Sequence, residues 1–195
     1  HHGGGFGVWD DALVIDLGGL RSTTVDPAAQ TVRVDPGCTW GDVDHATGAF
    51  GMATPSGFVS TTGVGGLALG GGVGYLTRRF GLTADNLISA DVVLADGRFV
   101  KASAESHPDL FWALRGGGGN FGVVTSFEFR LHEVGTVVAG PTFWPVESGA
   151  EVLRAYRDFL ATAPREPHRQ EALRRLGDLE MDAVDSRMAS GEAAG

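Results

Sequence analysis

The chain has little positive charge, a single cysteine and no long apolar run, and each shortage excludes a class of protein. Its 15 Lys and Arg residues are outnumbered by 24 Asp and Glu, which gives a formal net charge of −9. Proteins that bind nucleic acid or anionic membrane surfaces normally present a basic face, so we expect neither partner. Cys38 alone allows no internal disulfide and no multi-cysteine metal site, and we predict no metal.

The ends of the chain say little about where the protein works. No segment approaches the roughly 18 apolar residues of a membrane span, and no signal-type apolar core is visible near the start. These shortages favour a soluble, cytoplasmic protein. The first residues, HHGGGFGVWDD, contain no initiator Met. Two origins of His1 and His2 therefore stand: the tail of an expression tag, or native residues of a longer chain.

Glycine is what the chain has in excess, at 31 of 195 residues, against about 7% in an average protein. The densest stretch is STTGVGGLALGGGVG, residues 60–74. Glycines let a backbone approach a ligand closely and point successive N–H groups at an anion, and the neighbouring Ser and Thr hydroxyls add uncharged donors. This composition suits a pyrophosphate. The alternative is that the glycines form tight turns where small residues cross.

One dinucleotide pattern, G-x-G-x-x-A, occurs at Gly63, Gly65 and Ala68. It functions only when a strand runs into it and a helix starts from it. The preceding ATPSGFVSTT is typical of a loop, and the following GGGVG would break the helix that should hold the pyrophosphate. The flanking sequence therefore argues against a Rossmann unit, and the lack of Gly-Lys-Ser/Thr excludes a P-loop.

Hairpins and short helices dominate the predicted secondary structure. Residues 88–103 read as strand, Asp-Gly turn and strand. Residues 120–132 read as one alternating, half-buried strand, whose core face would carry Phe121, Val123, Phe127, Phe129 and Leu131. Further strands are expected at 13–17 and 31–37. Helices are expected at 40–51, at 106–115 (capped by Ser106) and at 147–164. Because strands and helices do not alternate, the sequence predicts an α+β fold with a mostly antiparallel sheet.

Five motifs taken in order carry a family resemblance: IDLGGLRSTTVDP, PGCTWGDVDHAT, ATPSGFVSTTGVGGLALGGGVGYLTRRFGLTADNL, DVVLADG and HPDLFWALRGGGGNFGVVTSFEFRLH. Together they resemble the FAD-binding domain of berberine-bridge-enzyme-like flavoproteins, in the vanillyl-alcohol-oxidase/PCMH superfamily, truncated at both ends. The resemblance implies a PCMH-type FAD-binding domain at 1–135 that lacks its N-terminal part. The start of a substrate domain would follow at 136–165, and a poorly ordered or weakly helical tail at 166–195.

The resemblance also implies which residues hold an extended FAD, with its pyrophosphate near the glycine block. The positions that fall on the cofactor-contacting loop are Pro55, Gly57, Ser60, Thr61, Thr62, Gly63, Gly65 and Gly66. Further contacts are implied at Asn86, Gly122 and Val123. Arg115 is expected to be structural, as an ion-pair or carbonyl clamp.

Three residues bear on covalent attachment of the flavin. His1 falls on the histidine that the family links to the flavin 8-methyl group, and the ungapped register favours a native residue over a tag. Val59 stands where many members carry a second linking cysteine, so a single link is implied. Cys38 lies in a different motif and is expected to pack in the core, and His45 to lie on a helix surface.

The implied activity is that of an FAD-dependent oxidoreductase that oxidises an alcohol or hemiacetal carbon of a sugar or secondary metabolite, with O2 as a candidate acceptor. Hydride would move to the flavin while a general base takes the substrate proton. That base would come from the absent part of the substrate domain, so no catalytic residue is assigned here. The alternative is a non-catalytic, truncated remnant with weak or no FAD binding.

Overall fold

The computed structural model describes residues 10–135, 137 and 143–162. The chain divides into two compact units, residues 1–139 and 140–195. The strands described in the first unit are β1 (Thr23–Asp26), β2 (Thr31–Val34), β3 (Met52–Ala53), β4 (Leu87–Val93), β5 (Phe99–Ser103), β6 (Val123–Arg130) and β7 (His132–Glu133). Its helices are α1 (Trp40–Gly48), α2 (Val64–Leu69), α3 (Thr77–Phe80) and α4 (Pro108–Leu114), with 3-10 turns at Ala84–Asn86 and Gly118–Phe121.

A five-stranded sheet in the order β1-β2-β6-β4-β5 forms the centre of the first unit, and every described pairing in it is antiparallel. The predicted hairpin is present: β4 and β5 pair, and Gly97 between them has φ +82°, a conformation that favours glycine. Strands β3 and β7 form a separate two-stranded sheet. The α+β prediction is therefore confirmed.

The predicted strand at 13–17 is wrong. Those residues have no ladder partner among the described residues, and Leu13 is 92% exposed. The first strand is instead β1, which leads into β2 through a turn at Asp26. There one carboxylate oxygen accepts the N–H groups of Ala28 and Ala29 at 3.0 and 2.9 Å. A strand needs a partner as well as a favourable composition.

Aromatic residues fix the helices against the sheet. Trp40, at the start of α1, is fully buried and packs 5.6 Å from the ring of Phe129 on β6. Val64 and Ala68 of α2 are buried in the same cluster as Phe127. Because α1 and α2 share this core with the central strands, the glycine-rich stretch is held against a rigid sheet.

Two local predictions need correction. On β6 we expected Val123 to face the core, but Val124 is the buried residue, because the register against β4 shifts between Asp91 and Val92. Helix α4 begins at Pro108, and His107, with φ +52°, is the residue before it. Ser106 is therefore not its N-cap.

The second unit is described only at residues 143–162. A 3-10 turn at Val146–Ser148 leads into α5 (Gly149–Thr162), so the predicted helix at 147–164 is present with slightly shorter bounds. Its Val152 is half-buried and its Tyr156 is exposed. The predicted tail at 166–195 lies outside the described residues, and the expected start of a substrate domain stays a prediction.

Candidate functional site

The two glycine runs are separated by a helix that the sequence argued against. Helix α2 starts after Gly63 and ends at Leu69, and its first turn contains Gly65 and Gly66, which we had placed on a loop. Glycine costs a helix about 1 kcal/mol per residue. Burial of Val64 and Ala68, whose side chains are 0% and 2% exposed, offsets that cost. Tertiary packing thus overrides local propensity.

This arrangement still differs from a Rossmann unit. The helix has only six residues, and what precedes it is an isolated bridge between Thr39 and Gly63, not a strand. The rejection of the dinucleotide fingerprint therefore stands, because a bridge and not a strand precedes the helix, and the helix ends where the second glycine run begins.

Residues 60–66, here called the donor segment, lie along the start of α1. Trp40 N–H donates to the Thr62 carbonyl at 2.9 Å, and Gly41 N–H donates to the Ser60 carbonyl at 2.8 Å. Val64 N–H in turn donates to the Cys38 carbonyl at 2.9 Å. The bonds that anchor the segment therefore use two of its carbonyl groups and one N–H.

Most of the segment's N–H groups stay available. Within the described part of the chain, no acceptor is found for the N–H groups of Ser60, Thr61, Gly63, Gly65 and Gly66. An ideal Cβ added at Gly63 would meet no atom within 4 Å, so the space in front of it is open. Unpaired N–H groups at a helix start, next to the open space at Gly63, favour a bound anion.

The second glycine run has a different role. Gly71 and Gly72 have φ of +104° and +77°, which strains any other residue. Gly74 lies so close to the Ser56 carbonyl that a Cβ would overlap that oxygen. Here the alternative interpretation, tight turns where small residues cross, is the correct one. Residues 60–74 thus divide into a donor half and a packing half.

The loop that enters the donor segment borders a cavity of about 400 Å³. Pro55 is buried and Gly57 is half-buried on this loop, and Gly57 and Ser60 line the cavity. Phe58 and Tyr75 form part of its wall, with their rings edge to face at 4.9 Å. Of the residues predicted to contact FAD, the cavity lining therefore includes Gly57 and Ser60.

Three residues predicted to contact FAD have other roles in the described contacts. Asn86 is 2% exposed, and its amide is occupied by hydrogen bonds to Phe80, Leu82 and His132. At Gly122, φ is +144° and a Cβ would lie 2.7 Å from the Val93 carbonyl, so close packing explains the glycine. Val123, at the start of β6, pairs with Val93 at the end of β4. No described contact joins these residues to the donor segment, and their role toward FAD stays a prediction.

The residues implied in covalent attachment are only partly described. His1 lies outside the described residues, whereas Val59 is exposed beside the donor segment. Cys38 is buried, with its thiol 3.4 Å from the Ser22 carbonyl, which confirms the expected packing role. Arg115 lies 4.8 Å from the ring of Phe111, a cation–π contact in place of the expected clamp, and His45 is exposed on α1.

A capping box at the start of α1 was missed. The Asp42 carboxylate accepts the backbone N–H and the hydroxyl of Thr39 at 2.8 and 2.9 Å and pairs with Arg21 at 2.8 Å. The Thr39 N–H, followed by Arg21 and the Thr39 hydroxyl, lowers the pKa of Asp42 to about 2. The signal was the spacing T-x-x-D before an apolar turn. This box orients Trp40 and Gly41, the two donors that anchor the donor segment.

Membrane-spanning helices and metal-binding clusters are both absent from the described residues. None of the helices found there is long and apolar enough to cross a membrane. Likewise, no group of three or more His, Cys, Asp and Glu side chains in the described ranges could hold a metal ion.

Comparison with known proteins shows the family. Residues 1–103, more than half of the chain, match the family described as FAD binding domain. The chain belongs to this family. Solved structures of berberine bridge enzyme and of a berberine-bridge-enzyme-like protein of Physcomitrella patens match as well, each with a TM-score of 0.59, so the PCMH-type fold implied by the resemblance is confirmed.

The relatives are longer proteins. An FAD-linked oxidoreductase of Aspergillus terreus is 52% identical over 68% of this chain and 26% of its own length. The structure of 6-hydroxy-D-nicotine oxidase from Arthrobacter nicotinovorans has a TM-score of 0.65 and 41% identity, covering 66% of this chain and 28% of that one. For xylooligosaccharide oxidase from Myceliophthora thermophila the TM-score is 0.60 and the identity 42%, over 62% and 26%. The chain thus spans about a quarter of the length of these relatives.

Proposed function

We propose that this chain is the cofactor-binding part of an FAD-dependent oxidoreductase that oxidises an alcohol or hemiacetal carbon of a small molecule, a sugar or a secondary metabolite. The observation that carries the proposal is the cluster of unpaired N–H groups in the donor segment. Support for the substrate class comes from the names of similar proteins, which include a xylooligosaccharide oxidase and a nicotine oxidase. By the same argument, O2 is the candidate acceptor.

The donor segment fits a pyrophosphate. Its N–H groups can donate to phosphate oxygens, with the hydroxyls of Ser60, Thr61 and Thr62 as further donors. The open space at Gly63 lets a phosphate approach the backbone. No Lys or Arg lies in the segment, so backbone dipoles and hydroxyls would hold the charge. Pro55 and Gly57 shape the loop on one side.

The remaining roles follow from the family resemblance. When bound, FAD would accept the hydride that leaves the substrate carbon. His1 would hold the flavin through one covalent bond, and Val59 excludes a second, cysteinyl bond. The proton acceptor for the substrate hydroxyl would come from the substrate domain.

The proposal is tested on the protein at its full natural length. We expect a flavin absorbance band at about 450 nm and close to one FAD per chain. Acid precipitation should leave the flavin on the protein if His1 forms the link, and a His1→Ala variant should release it. A folded, monodisperse protein that takes up no FAD would instead favour the alternative, a non-catalytic remnant.

A further inference from the structure

The side chain of Asn86 is committed to contacts within the protein. Its amide nitrogen donates to the carbonyls of Phe80 at 2.9 Å and Leu82 at 2.8 Å, which fixes the direction of the amide. Its oxygen then faces Nε2 of His132 at 2.7 Å. Because this oxygen can only accept, Nε2 of His132 must carry the proton.

His132 is held from a second side. Its ring stacks on Phe80, with the ring centroids 4.0 Å apart and the planes at 13°. The His132 pKa is lowered, mainly by burial and further by the positive charges of Arg130 and Arg79. The lowered pKa favours the neutral imidazole, in which the proton on Nε2 leaves Nδ1 unprotonated.

The Asn86–His132 pair connects two segments of the chain. One is the loop at 53–57, here called the cofactor loop, and the other is the second glycine run. On one side, His132 pairs with Ala53, the first residue of the cofactor loop. On the other, the 3-10 turn that ends at Asn86 follows Thr83, and the N–H groups of Thr83 and Ala84 donate to the carbonyls of Gly72 and Gly71 at 3.1 and 2.9 Å. Both segments are thus fixed relative to one buried amide.

The side chain of Leu67 contacts both the cofactor loop and the second glycine run. A Cβ at Gly57 would lie 2.6 Å from one methyl of Leu67, and a Cβ at Gly72 would lie 2.6 Å from the other. Leu67 therefore fills the gap between the cofactor loop and the second glycine run. Since Leu67 belongs to α2, its side chain links both segments to that helix.

We propose that Asn86 and His132 are positioning residues for the FAD site: they do not contact the cofactor, but hold the loop at 53–57 and the start of α2 in the geometry that binds pyrophosphate. This inference rests on the proposed function. It replaces the direct cofactor contact implied for Asn86, and it assigns a role to His132 that the alternating pattern at 120–132 did not suggest.

The test compares FAD affinity among variants of the full-length protein. A His1→Ala background keeps binding reversible, and quenching of FAD fluorescence on binding gives the dissociation constant. Asn86→Leu and His132→Leu should each weaken FAD binding about tenfold or more, because each leaves buried partners without a hydrogen bond. His132→Gln places an amide N–H near the former Nε2 position, so it should stay within about threefold of the parent.

A matched control removes a buried hydrogen bond that does not lead to the loop. Ser89→Ala, on β4, loses the bond from its hydroxyl to the Glu128 carboxylate at 2.6 Å. It should lower the thermal midpoint without changing FAD affinity. Equal loss of affinity in Ser89→Ala would show a general stability effect and overturn the proposal.

Other outcomes are equally decisive. If Asn86→Leu weakens binding while His132→Leu does not, Asn86 contacts FAD itself and the positioning role is overturned. If the parent binds FAD and no variant differs from it, the positioning role fails while the proposed function stands. If the parent binds no FAD, the proposed function itself fails.

A milder pair of variants covers the case in which the leucine variants do not fold. His132→Gln can reach the Asn86 oxygen, whereas His132→Asn is too short to do so. The proposal expects the Asn variant to bind FAD at least about fivefold more weakly than the Gln variant. Equal affinities would overturn it.

Discussion

Gly63→Ala should separate cofactor binding from folding. Gly63 has φ −67° and ψ 138°, which any residue can adopt, and a Cβ there meets no protein atom within 4 Å. Loss of chain flexibility in the unfolded state stabilises by about 0.4–1 kcal/mol. Alanine is a poorer N-cap than glycine by a similar amount. The free energy of unfolding should therefore change by less than about 1 kcal/mol.

FAD binding should respond in the opposite way. The new methyl group would occupy the open space where we place the pyrophosphate, and forcing one extra group into a packed contact costs about 1–3 kcal/mol. The FAD dissociation constant should then rise about 5-fold to 150-fold. The assay is a fluorescence titration in the His1→Ala background, next to thermal unfolding of the cofactor-free protein.

The control is Gly19→Ala, at an exposed residue before β1 where a Cβ also meets no atom within 4 Å. It should leave both affinity and stability almost unchanged. An unaltered FAD affinity in Gly63→Ala, with the protein folded, would refute the placement of the pyrophosphate at this residue.

Two further predictions concern stability. Gly74→Ala should cost at least about 2 kcal/mol in denaturant unfolding, because the Ser56 carbonyl occupies the space of the new Cβ; a neutral effect would contradict the packing role of the second glycine run. For Asp42, the pKa is lowered from 3.8 to about 2, so its contribution is complete above about pH 5 and is lost as pH falls toward 2. With its side chain 40% exposed, we expect about 1 kcal/mol of pH-dependent stability, which Asp42→Asn should remove. If the free energy of unfolding falls equally in both proteins between pH 5 and pH 2, this prediction is contradicted.

The sequence carried much of the fold because local signals agreed with the final packing. The hairpin at 88–103 has a turn that only glycine adopts easily, and the alternation in 120–132 matches a strand that becomes the centre of the sheet. Such signals need no knowledge of distant residues. The strand expected at 13–17 failed because strand formation depends on a partner, which its own residues do not specify.

The candidate site was predictable in kind but not in arrangement. The glycine block identified an uncharged phosphate-binding backbone, yet the sequence could not show that α2 divides it, because burial of Val64 and Ala68 depends on the distant strands of the core. It also could not show that the Asn86 amide is used up by Phe80, Leu82 and His132. Contacts between residues 46 positions apart leave no local pattern.

Hydrogen exchange at the backbone amides of residues 60–66 tests the central claim most directly. The exchange rates of Ser60, Thr61, Gly63, Gly65 and Gly66 would be compared in the full-length protein with and without FAD, in the His1→Ala background. Because these N–H groups have no acceptor within the described residues, they should exchange fast without FAD and become protected when its phosphates accept them. Bound FAD that leaves these amides unprotected would contradict the account.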